Sequence, residues 1–265
     1  MSSWASFTFS AAFWRLLYAY REAALTGFSS CDEGDFSHPS WFHLLSKNIT
    51  QPIASRQWHS GFLPSRFQGV HFHGQGDPVL YVNNPPGVSR AQQRDIVKAV
   101  QKINRLRSAS INDTEIATRI SQYEMAFRMQ ASVPDLVDIS QEIQATLEMY
   151  GTKGSDGSFA SNCLLARRLA EGGAGFITVS TDFVWDMHAD NNNATMTEGM
   201  DYVGRPFDHA VSAFIEDVEA RGLQEKILLV CCGEMGRSPK INGKGGRDHW
   251  AGSAPLLLYG GGLNM

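Results

Sequence analysis

Three polar clusters punctuate the C-terminal half of the chain: Trp185-Asp186-Met187-His188, Gly233-Glu234-Met235-Gly236-Arg237-Ser238-Pro239 and Gly246-Arg247-Asp248-His249-Trp250. Each lies just past or between apolar, strand-like runs. An α/β enzyme presents ligand-binding groups in that way, beyond the carboxyl ends of its strands. Asp186 and His188 are two residues apart, so in extended backbone their side chains point to one side. A carboxylate oxygen and an imidazole nitrogen suit zinc and also manganese; a plain Asp–His hydrogen-bonded pair would use the same residues. Glu234 follows a glycine at the end of an apolar run, where a carboxylate is costly without a partner. That partner is either a metal or Arg237, whose guanidinium could instead hold an oxyanion through two hydrogen bonds. In the third cluster His249 can ligate a metal, and Asp248 can ligate it or orient a ligand. Gly243, Gly245 and Gly246 let the backbone come close to a bound group.

Other polar residues carry less. His71-Phe72-His73 alternates as a short strand would, placing both imidazoles on one face as a metal pair or as a solvated edge. Asp190 and Asn191 to Asn193 read as a hydrophilic turn that could assist the site. His209 reads as a packing or surface histidine on a helix. Ser180 and Thr181 are the nearest hydroxyls to a nucleophile position, yet their place after an apolar run marks them as the end of a strand. No GxGxxG or GxxxxGK[ST] phosphate loop and no GxSxG elbow is present.

The elements that must position these groups follow from periodicity. A helix is expected at about 11–26, then an irregular Ser-, His-, Pro- and Gly-rich stretch over 31–88. Ser89 and Gln92 form a capping-box pattern ahead of Ile96, Val100, Ile103 and Leu106 at helical spacing. Asp113 caps a second helix, which Pro134 ends. A third helix stops at Gly151. From residue 158 the pattern alternates: helix 159–171, strand 176–180, helix 206–220, strand 227–232 and strand 255–259. Continuous Val, Ile and Leu runs predict strands buried on both faces, parallel and neighbouring. The expected fold class is therefore α/β, a partly parallel sheet flanked by helices with a mainly helical insert. The chain divides into 1–27 (an unassigned helix), 28–155 (irregular segment plus insert or cap) and 156–265 (the core half carrying the clusters).

Bulk properties exclude several classes. A net charge of -4 gives no electrostatic case for nucleic acid or an anionic membrane, and no apolar run reaches transmembrane length. Cys31, Cys163, Cys231 and Cys232 lack CxxC spacing and read as buried thiols.

Taken in order, these motifs resemble a bacterial family known as domain of unknown function 1501. It shows W-D-x-H, G-E-F-G-R-T-P and G-R-D-H-W segments, then an apolar strand ending in G-G-G. This chain has W-D-M-H at 185–188, G-E-M-G-R-S-P at 233–239, G-R-D-H-W at 246–250 and G-G-G at 260–262. Segments 60–65, 68–70, 76–79 and 123–130 extend the resemblance over roughly 28–265. That family is similar to the alkaline phosphatase and sulfatase superfamily. The resemblance implies a metal site of Asp186, His188, Glu234, Asp248 and His249, with Arg237 steadying the transferred group. It implies a divalent ion (zinc, manganese or calcium) and a small-molecule or polysaccharide sulfate or phosphate ester as substrate. The first pair is D-x-H here, where the superfamily has D-x-x-x-H. Family members begin with an export signal, which implies an exported or periplasmic protein. That signal, the first core strand and the nucleophile region are not recognisable in this sequence, so the chain is expected to be an internal fragment, poorly soluble and inactive. The alternatives are a non-catalytic anion- or metal-binding protein on the same scaffold, and a metal-free acid/base site of Asp, His and Arg.

Overall fold

The structure, a computed structural model, describes residues 41–45, 69–73, 86–111, 135–181, 185–191, 193–233 and 235–263. In chain order its elements are β1 (Trp41–Leu45), β2 (Val70–His73), α1 (Arg90–Ile111), a 3-10 turn (Ile139–Gln141), α2 (Gln144–Tyr150), α3 (Phe159–Glu171) and β3 (Phe176–Val179). Then come α4 (Met196–Gly199), a π turn (Met200–Gly204), α5 (Arg205–Ala220), β4 (Leu228–Cys232), β5 (Gly236–Arg237), β6 (His249–Trp250) and β7 (Leu256–Gly260). The chain is a mixture of helix and strand. No helix among the described residues is long and apolar enough to cross a membrane.

The helix boundaries follow the local chemistry. At the start of α1 the Ser89 amide donates to Gln92 Oε1 at 2.8 Å, and the Gln92 amide donates to Ser89 Oγ at 3.3 Å. This is the reciprocal capping box. Gly151 ends α2 with φ 74°, a left-handed conformation that glycine adopts without steric cost. Ser158 Oγ accepts from the Ser161 amide and starts α3. Pro206 in the first turn of α5 suits a position where no amide is required. The helix expected at 11–26 and the one capped by Asp113 lie outside the described residues.

Two compact units can be distinguished. The larger includes the described residues of 37–185 and 200–223; the smaller includes those of 186–199 and 224–263. In the larger unit, β1 pairs parallel with β2 and with β3, in the order β2-β1-β3. Helices α2, α3 and α5 pack together and bury Tyr150, Leu164, Leu169, Ala210 and Val218. Leucines so enclosed contribute about 1.5–3 kcal/mol each. The Phe207 ring stacks on Phe159 and meets the Trp185 ring in a T-shaped contact.

An ionic cluster runs through this core. Arg167, on α3, is buried and donates to Asp217 at 2.7 Å, Glu142 at 2.6 Å and Glu171 at 2.8 Å. Arg168 also reaches Glu142 at 2.6 Å, and Arg221 reaches Asp217 at 2.7 Å. Tyr150 donates its hydroxyl to Asp217 at 3.2 Å. Three guanidinium groups and three carboxylates balance, so no buried charge is left uncompensated. Burial works to raise the Glu142 pKa, but hydrogen bonds from Arg168 and Arg167 outweigh it and hold this carboxyl below the usual range.

The smaller unit corrects the expected strand pairing. β4 and β7 pair antiparallel, Val230 opposite Leu258, and β3 belongs to the other sheet. A parallel return needs a crossover, usually a helix. Residues 233–255 instead contain the antiparallel β5–β6 pair and turns, so the chain comes back alongside β4 in the opposite direction. Nor are these strands buried on both faces. Val230, Leu256, Leu257 and Leu258 are exposed, because alternation in a two-stranded ribbon sends side chains to both of its faces. The α1 stripe differs likewise: Ile96, Ile103 and Leu106 are exposed, and among the described elements none packs along them. Of the cysteines, Cys163 is buried, Cys231 half-buried and Cys232 exposed; Cys31 lies outside the described residues.

Candidate metal centre

All the described residues of the candidate centre belong to the smaller unit. Asp186 and His188 sit in the irregular stretch before α4, Arg237 in β5 and His249 in β6. β5 and β6 place Arg237 directly opposite His249 in register. Asp186 Oδ1 meets Arg237 Nη1 at 2.8 Å and His249 Nε2 at 3.4 Å, and His188 Nδ1 is closer still. One donor atom from each of Asp186, His188 and His249 can be chosen so that all lie within 4.8 Å of one another. The two imidazole rings are 4.4 Å apart and tilted by 52°.

Asp186 Oδ1 and His188 Nδ1 are both shielded from solvent, and they are ion-paired with each other and, through Oδ1, with Arg237. A carboxylate and two imidazoles brought together in this way are also the donor types that hold a divalent cation. The donor set, one carboxylate and two imidazoles, fits a divalent transition metal better than calcium, which takes oxygen ligands. Arg237 Nη1 also lies 3.4 Å from His188 Nε2. It therefore flanks two of the three donors with a fixed positive charge.

The loop 238–248 holds this arrangement. The Asn242 side chain accepts from the amides of Lys244 and Gly246, each at 3.0 Å, and donates to the His188 carbonyl at 2.9 Å and to Asp248 Oδ1 at 3.2 Å. The Arg247 amide donates to the Met187 carbonyl at 2.8 Å. Gly246 is where this loop touches the 186–189 segment: a Cβ there would lie 2.7 Å from the Ala189 nitrogen and closer yet to the His188 carbonyl. Ala189 itself has φ 57°, a left-handed conformation that costs a non-glycine residue about 1–2 kcal/mol. The strain falls on the residue that follows His188. Thr195 and Glu198 form a second capping box that starts α4, and Asp190 Oδ1 accepts from Asn193 in a tight turn.

Of the residues singled out in the sequence, Asp186, His188 and His249 come together and Arg237 touches two of them. Asp248 is outside the converging trio; its carboxylate accepts from Asn242 and its carbonyl from the Ser238 amide. Glu234 lies outside the described residues. β2 contains His71 and His73 as expected, but the His73 side chain is also outside them. Among the described residues no second trio of metal-ligating side chains converges. His209 is exposed, its ring against Gly151. Thr181 accepts from the Trp185 indole. Burial, with Cys232 beside it, pushes the Cys231 thiol up to about 11, so it stays protonated at neutral pH. Asn242 was missed in the sequence reading, although Asn242-Gly243 is a turn signal of the kind that opens such a loop.

The profile of the family described as "Protein of unknown function (DUF1501)" matches residues 30–265. No curated protein and no solved structure matches the chain. With nearly its whole length covered, and with the clusters that converge in the smaller unit inside the matched region, this chain belongs to the DUF1501 family.

Proposed function

We propose that this chain is a metal-dependent hydrolase of sulfate or phosphate esters, built on an alkaline phosphatase/sulfatase-like scaffold. The observation that carries the reading is the convergence of Asp186, His188 and His249, one donor atom of each lying within 4.8 Å of the others. These three residues hold a divalent cation, zinc or manganese by their chemistry. When bound, that cation supplies Lewis-acid polarisation of an ester oxygen and a lowered pKa for an attacking hydroxyl or water. Arg237 lies beside the same carboxylate and offers guanidinium N–H groups to a tetrahedral oxyanion. Asn242 and Gly246 keep the two ligand-bearing segments in contact. His249 is nearly half exposed, so an ester on a small molecule or a polysaccharide can approach from solvent. Glu234 and Asp248, implied by the family resemblance, complete the proposed ligand set.

A second reading, non-catalytic binding of an anion or a metal on the same scaffold, draws on a different observation. The hydroxyls of Thr195 and Ser238, both in the smaller unit, are already committed, to Glu198 and to the Lys240 carbonyl. One experiment separates the two. The chain is loaded with zinc or manganese, its metal content is measured, and aryl phosphate and aryl sulfate hydrolysis are assayed. Bound metal with turnover that His249→Ala abolishes supports the enzyme. Bound metal without turnover, but with saturable phosphate or sulfate binding, supports the second reading. A chain that retains no metal at either ion overturns the metal centre itself.

A further inference from the structure

We propose that Asn242 is the positioning residue of this centre: its carboxamide clamps the main chain of His188 to the loop that leads into His249. The inference rests on the metal reading for its functional meaning, but its geometry is independent of that reading.

The Asn242 amide is saturated. A carboxamide has two N–H donors and an oxygen with two lone pairs, and all four are used. The oxygen takes the main-chain amides of Lys244 and Gly246, and the nitrogen serves the His188 carbonyl and Asp248 Oδ1. The partners fix its orientation, because backbone amides only donate and a backbone carbonyl only accepts. A flipped amide would face donor to donor and acceptor to acceptor. No other uncharged side chain of this length offers two donors and two acceptors on one planar group.

The four bonds join three pieces of chain. Two close the 242–246 turn on itself. The third holds the carbonyl of His188, a candidate ligand, just before the strained Ala189. The fourth holds Asp248, the residue immediately before His249. Asn242 therefore touches the main chain or the neighbour of both imidazole-bearing residues without touching either ring. A residue so placed sets the separation of the two rings, 4.4 Å here, and hence the bite offered to a cation. Ligand-supporting hydrogen bonds of this kind change metal affinity by about 10- to 100-fold when removed.

Asn242→Asp is the discriminating variant. It keeps an acceptor oxygen for Lys244 and Gly246, so the turn remains closed. It loses both donors and sets a carboxylate against the His188 carbonyl and Asp248. Two arms are measured on the full chain, with far-UV circular dichroism to confirm folding. In the first, cobalt(II) is titrated and its visible absorption recorded, since band position and intensity report coordination geometry. The expected result is a variant that folds as the parent does but binds cobalt about 10- to 100-fold more weakly, with an altered spectrum. In the second, without metal, the nuclear Overhauser effect between the His188 and His249 ring protons is compared; it is expected to be lost in Asn242→Asp. Unchanged affinity and spectrum, or a retained ring–ring effect, overturn the proposal. If the parent takes up no cobalt, the metal reading fails, and the ring–ring effect alone decides the role of Asn242. Should Asn242→Asp not fold, Asn242→Ser replaces it in both arms with the same outcomes, its shorter hydroxyl being unable to reach the His188 carbonyl.

Discussion

Replacing Gly246 by alanine adds one methyl group at the point where the loop meets the His188 backbone. The added carbon would lie 2.7 Å from the Ala189 nitrogen, with the His188 carbonyl nearer still. Ordinary contacts fall at about 3.5–4.0 Å, so the loop and the 186–189 segment must part by more than about 1 Å, the His188 carbonyl being the nearest obstacle. Backbone conformation is not the obstacle, since Gly246 is not among the glycines with positive φ; the test is purely steric. A separation of that size stretches two hydrogen bonds past their useful length: Arg247 N to the Met187 carbonyl at 2.8 Å, and Asn242 Nδ2 to the His188 carbonyl at 2.9 Å. At about 1 kcal/mol net each, the loss is about 2 kcal/mol. It should lower the melting temperature by about 4–8 °C. The same displacement moves His188 away from His249, so zinc affinity measured by calorimetry should fall at least tenfold. Gly243→Ala is the internal control. It lies in the same loop, has no positive φ, and an added Cβ there meets nothing within 4 Å. It should stay within about 0.5 kcal/mol of the parent. If Gly246→Ala melts and binds zinc as Gly243→Ala does, the close approach of the two segments is not what holds the centre.

In the ionic cluster, Arg167→Met should destabilise by about 3 kcal/mol, as breaking a buried pair does, whereas Arg221→Met, at a third-exposed position, should cost about 1 kcal/mol or less. Urea denaturation checks this, and equal midpoints for the two variants would contradict the assigned burial. The cluster should also be acid-sensitive. The Glu142 pKa is held below its ordinary value of 4.5, so its contribution is present above about pH 4.5 and is lost as pH falls through the depressed folded-state value. Glu142→Gln should flatten that part of the stability–pH curve, and an unchanged slope would refute the pairing. Ala189→Gly should raise stability by about 0.5–1 kcal/mol, because the φ of 57° is one that glycine adopts freely; a lower melting temperature would show that no strain is stored there. Arg237→Gln should tighten zinc binding, because it removes a positive charge 2.8 Å from the oxygen that would hold the ion; weaker binding would count against a cation at that oxygen.

Sequence alone determined what local chemistry determines. The Ser89–Gln92 capping box, Gly151 as a helix stop and the ends of α3 were legible because each depends on residues within a few positions of one another. The convergence of Asp186, His188 and His249 was legible only as two residue types in two short motifs. Arg237 across from His249 depends on the β5–β6 register, and the position of His188 depends on Asn242, 54 residues along the chain. Strand pairing was misjudged because an apolar run has the same appearance in a parallel sheet and in an antiparallel ribbon; direction is decided by what the connecting segment does. The ionic cluster was likewise invisible. Arg167 inside an apolar helix looks like an ordinary surface arginine until α2, α3 and α5 pack and place Asp217, 50 residues away, against it. Capping and turn chemistry act over one or two turns of chain and are written in the sequence. The partners of a buried charge or of a converging ligand are decided by packing, because only the tertiary structure sets which distant groups share a space closed to water.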